Sequence, residues 1–151
     1  DPVLAKVKQK GKVIATSGSI AQMGYPTFEG IAVSSKFAQE NPQFLVAFAK
    51  ALNRASAQVR DNLAKWTPDS PEIKAIAKWS KADPKDVPAA MALYRFPTPE
   101  EQLSAQWLEG GAAKAMTNTA SFLKSQGRIQ EIKPDYAAFV TNSYVQKALG
   151  R

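Results

Sequence analysis

A chain of 151 residues is long enough for one domain with a sizeable core, and 44% hydrophobic with 22% charged content is ordinary for a globular protein. The absence of Cys and His excludes disulfides, thiol nucleophiles, an imidazole base and the commonest zinc ligands, and no run approaches the ~20 apolar residues of a membrane-spanning helix. The formal net charge of +7 permits a polyanionic or membrane partner, but the cations are spread singly apart from Lys6, Lys8, Lys10 and Lys12, a group that a solvated helix face explains.

In chain order, residues 2–10 suit a short helix, with Asp1 as N-cap, Pro2 at the first helical position and Gly11 as its stop. Residues 13–16 read as a short strand, followed by a polar, Gly-containing loop through Gly24. Residues 27–34 read as a second strand on the strength of Thr27, Phe28, Ile31 and Val33. A short helical turn then hands over at Asn41-Pro42 to a long amphipathic helix reaching about Asn62. Its stripe holds Phe44, Leu45, Phe48, Leu52, Ala55 and Val59.

Further helices start at Ser70-Pro71 and at Asp83-Pro84. Thr98-Pro99-Glu100-Glu101 is a capping-box sequence opening the longest helix, expected to run to Gly127 with Gly110-Gly111 in its middle. A last helix begins near Lys133-Pro134. The fold expected is α/β, mostly α-helical here with two to three short strands.

The candidate site is the loop and strand start from Gln22 to Glu29, where Gly24 permits a tight turn and Pro26 stiffens it. Glu29, taken by itself, reads as a solvated residue at the start of an edge strand. Asp1 at a helix N-terminus suits an anion site and equally a plain cap. Arg95 reads as an anion partner or as a surface Arg near a helix end. Trp66, Trp79 and Trp107 are expected to pack, sitting in or beside amphipathic helices. No triad, phosphate loop or metal-spaced cluster occurs, so no enzyme, metal site or cofactor is expected.

The run GYPTFEGIAVSSKFAQENPQFLVAFAKAL, residues 24–52, resembles periplasmic substrate-binding proteins of ABC importers, in the taurine and aliphatic-sulfonate branch. The resemblance continues to about Val145, and Asp1-Pro2 is similar to the tail of that family's Trp-Asp-Pro motif. It implies a C-terminal part of a type II periplasmic binding protein. Residues 1–34 would be the remnant of the second lobe with a crossover strand, and 35–151 the C-terminal helical part of the first lobe.

The implied role is binding taurine or a related alkanesulfonate for an ABC permease, in the periplasm, with no nucleic-acid partner. The resemblance implies that Glu29, after Phe28, meets a ligand ammonium, with Thr27, Gln22, Asp1 and Arg95 around it. Glu29 is one methylene longer than the Asp expected there. The opening DPVLAKVKQK is no signal peptide. A chain lacking the rest of the cleft is expected to bind weakly and to self-associate through uncovered apolar surface. The competing reading is a stand-alone basic helical module that binds a macromolecular partner or polyanion.

Overall fold

Several helix starts among the described residues follow Pro, Ser and Thr. The computed structural model describes residues 7–151, so Asp1 and most of the helix predicted over residues 2–10 lie outside the described residues. Gly11 stops that helix as expected, its amide and that of Lys10 both donating to the Val7 carbonyl at 2.8 and 3.0 Å.

The helices that follow are α1 (Ser17–Gln22), α2 (Ser35–Glu40), α3 (Pro42–Asn62), α4 (Pro71–Ser80), α5 (Val87–Met91), α6 (Pro99–Gln102), α7 (Gly111–Ser125) and α8 (Ser143–Ala148). Short 3₁₀ turns occupy Leu63–Lys65 and Ala137–Phe139. Pro stands at the first position of α3, α4 and α6, where its missing N–H costs no helical hydrogen bond. At α6 the predicted capping box forms: the Glu101 amide donates to Thr98 Oγ1 (3.1 Å) and the Thr98 amide to Glu101 Oε2 (2.8 Å).

The expectation of two to three short strands is overturned. Among the described residues there is no strand, and the α/β class gives way to a helical one for this segment. Residues 13–16 and 25–34 are irregular, despite the β-branched content of the second stretch. A strand exists only by pairing, and among the described residues these stretches exchange no ladder of backbone hydrogen bonds with a second extended segment.

The long helix predicted from Thr98 to Gly127 is likewise broken. Residues 103–110 form wide turns, in which the amides of Leu108 and Gly111 reach six residues back, to the carbonyls of Gln102 and Ala105 (3.0 and 2.9 Å). Gly110 adopts φ 134°, and a Cβ on Gly111 would fall 1.8 Å from the Gln106 carbonyl oxygen. The glycine pair therefore starts a new helix at a close backbone crossing that no side chain could occupy. The helix expected near Lys133-Pro134 is reduced to the 3₁₀ turn Ala137–Phe139.

Two units divide the chain, one comprising residues 7–14 and Arg54–Phe96, the other Ala15–Asn53 and Pro97–Arg151. In the first, Ile73 is fully buried with Ala77 and Val87, and Trp66, Ile76, Ala82 and Met91 pack around them. Here α4 and the turn Leu63–Lys65 both pack on α5. Trp79 departs from the expected packing: it is 84% exposed, with Lys78 Nζ 5.9 Å from its ring centroid.

In the second unit Leu45, Ala115 and Ala120 are buried, and α7 packs on the turn Ala137–Phe139. Gln102 Nε2 ties α6 to α3 by donating to Asn53 Oδ1 (3.0 Å), and it also donates to the Pro97 carbonyl (3.2 Å).

Candidate functional site

Local hydrogen bonding in the loop expected to carry the site begins at α1. The Ser19 amide donates to Thr16 Oγ1 (3.1 Å) and the Thr16 amide to Ser19 Oγ (3.0 Å), a capping box with Ser in place of Glu. The helix closes through the Met23 and Gly24 amides, which donate to Ile20 and Ala21 carbonyls at 3.0 Å. Gly24 then takes φ 93°, a backbone region open to glycine. Its carbonyl accepts a 3.0 Å hydrogen bond from Asn118 Nδ2 on α7. That contact joins residues 94 positions apart and lays the Pro26–Phe28 stretch beside α7.

An open cleft of about 470 Å³ results. Its walls are Pro26, Thr27 and Phe28 on one side and Met116, Thr119, Ala120 and Leu123 of α7 on the other, with Ile129 and Tyr136 completing them. The α7 residues recur at i, i+3, i+4 and i+7, the spacing of one helical face. The lining is carbon-rich, its side-chain polar atoms being the hydroxyls of Thr27, Thr119 and Tyr136. Tyr136 Oη accepts weakly from the Lys133 amide (3.4 Å), and its ring lies 6.2 Å from that of Phe139.

Thr27 is thus the expected site residue that lines this cleft. Glu29 and Gln22 are exposed and stand outside its lining, Gln22 as the last residue of α1. Arg95 is exposed and belongs to the other unit. Asp1 lies outside the described residues. Met116, Ala120, Leu123 and Ile129 are candidate-site residues that the sequence alone does not single out. Their link to Thr27 is set by the Asn118–Gly24 hydrogen bond, which no local pattern announces.

No charged side chain belongs to the lining. A sulfonate or ammonium group taken from water needs charge-assisted hydrogen bonds in return, so this cleft as it stands favours apolar contact over an ionic ligand. Among the described residues no cluster of three or more carboxylates could hold a metal ion, and no helix is long and apolar enough to cross a membrane.

No family model matches the chain. Over 145 residues, 96% of its length, it is 32% identical to the taurine-binding periplasmic protein of Escherichia coli (strain K12), and it spans 45% of that protein.

Proposed function

We propose that this chain, a homologue of a taurine-binding periplasmic protein, acts as the C-terminal part of the solute-binding component of an ABC importer for taurine or related alkanesulfonates. The observation that carries this reading is the length of the match. Identity of 32% sustained over 96% of the chain is shared ancestry along the whole segment, beyond the reach of one short motif.

The relative is named for binding, and the role follows that chemistry: a small zwitterion is held, no bond is made or broken, and the loaded protein is presented to a membrane permease from the periplasm. Binding proteins of this kind enclose a ligand between two lobes that close about a hinge. The candidate ligand contacts that the family resemblance implies are Glu29, Thr27, Gln22, Asp1 and Arg95. Glu29 supplies an acceptor for an ammonium, the pairing that distinguishes an amino-sulfonate from a plain alkanesulfonate.

The test is calorimetric titration of the polypeptide that carries this sequence in its cell, using taurine and ethanesulfonate. Saturable binding of either sulfonate in the micromolar range is expected. Absence of heat from both would refute the assignment.

A further inference from the structure

One surface stands apart from the cleft. On α2 and α3 the rings of Phe37 and Phe44 meet edge to face at 5.7 Å, and those of Phe44 and Phe48 stack at 6.2 Å. Leu52 continues the row one turn on. All four are open to solvent, at 40, 57, 39 and 44% exposure, whereas the neighbouring Leu45 is only 6% exposed. Helix α3 therefore has an inner face already in use at Leu45 and a second apolar row of three residues, extended by Phe37 of α2, that its unit does not cover. Contiguous apolar patches of this kind mark surfaces made for a partner.

The comparison indicates the partner. The match takes in nearly all of this chain yet only 45% of the relative, so a like binding protein contains more polypeptide outside the match than within it. We infer that the stripe Phe37, Phe44, Phe48 and Leu52 is the seat for that remaining part of the binding-protein fold, an inference that rests on the function proposed above. The +7 charge of the chain makes an apolar surface rimmed by carboxylates the complementary chemistry, while Lys50, by helical spacing, falls on the side of α3 away from the stripe. Self-association, expected from the sequence, is the competing occupant.

Because the chain has no Cys, Phe48→Cys introduces its sole thiol. Maleimide labelling, read by the mass of this chain, is compared for the chain alone and for the chain co-expressed with the part of the E. coli protein outside the match. Slowing by roughly tenfold or more at Phe48→Cys, with Lys50→Cys labelled equally fast in both, is the expected result. An unchanged rate at Phe48→Cys overturns the inference. So does protection that grows with concentration of the chain alone, since that identifies a second copy as the occupant.

The double variant Phe44→Ser/Phe48→Ser, checked for helicity by circular dichroism, is expected to lose co-purification that Phe48→Leu retains; retention by the double variant counts against the stripe. Taurine titration of the co-expressed pair separates the two readings. Protection without taurine binding sinks the transport role and leaves the seat standing, and taurine binding without protection does the reverse.

Discussion

Glu29 is exposed and follows Phe28, the last of the three consecutive residues on one wall of the cleft. In the closed binding protein its carboxylate is proposed to accept from the ligand's ammonium. Glu29→Gln is then expected to weaken taurine by about 1.5–3 kcal/mol, the range for a hydrogen bond to a charged group, and to leave ethanesulfonate unchanged. Equal weakening of both ligands would assign Glu29 to folding. Gly111 is a residue whose replacement the backbone itself forbids: an added Cβ meets both the carbonyl oxygen and the carbonyl carbon of Gln106, at 1.8 and 2.3 Å. Gly111→Ala is expected to cost about 3 kcal/mol in urea unfolding, the upper end of ordinary point substitutions. Gly30→Ala, whose Cβ would sit 3.9 Å from Phe28 Cε2, is the control, expected to stay within about 0.5 kcal/mol.

Among the elements, α6 depends most visibly on a cap. Thr98→Ala removes the acceptor for the Glu101 amide and is expected to cost about 1 kcal/mol by thermal or urea unfolding; no change would mean that α6 is held by its Gln102 contacts. That cap was legible from the residues alone, as were the starts at Pro42, Pro71 and Pro99, because Pro and hydroxyl side chains act within one turn of where they stand. The hydroxyl or amide of a flanking residue was less predictable. Asn41 Nδ2 reaches back to the Phe37 carbonyl (3.2 Å), and Ser70 Oγ accepts from the Thr67 amide (2.9 Å). Both close the preceding turn. The α1 box was missed because Ser19 does the work usually given to Glu or Gln. The break at 103–110 was missed because the cost of a Gly pair in mid-helix is small, whereas the close backbone approach it permits cannot be seen in one dimension. Residues 27–34 illustrate the same boundary: their β propensity is local, while a strand needs a partner from elsewhere.

The whole chain offers a cleft walled by carbon and hydroxyl, without a charged lining residue. By itself it is expected to hold taurine more weakly than about 1 mM, equivalent to about 4 kcal/mol of binding. Ionic ends of a small ligand are rewarded only when donors and acceptors converge from both sides of an enclosure. A micromolar dissociation constant for the 151-residue chain alone would overturn that expectation. The candidate site was half legible for this reason: the run Gln22 to Glu29 could be picked out by its turn residues and its resemblance, but the face of α7 opposite it could not.

The hydrogen bond from Asn118 to Gly24 has a consequence for the order of events during synthesis. It closes a unit whose two pieces flank residues 54–96 in the chain. The 54–96 stretch holds Ile73, Ala77 and Val87 close together in sequence, so its contacts form across short loops, while the Gly24 contact must wait for a long one. On the ribosome, Asn118 is added 22 residues after Phe96, or roughly 1–4 s later at about 5–20 residues per second. Until then Pro26, Thr27 and Phe28 have no opposite wall, and the nascent chain carries this apolar segment uncovered.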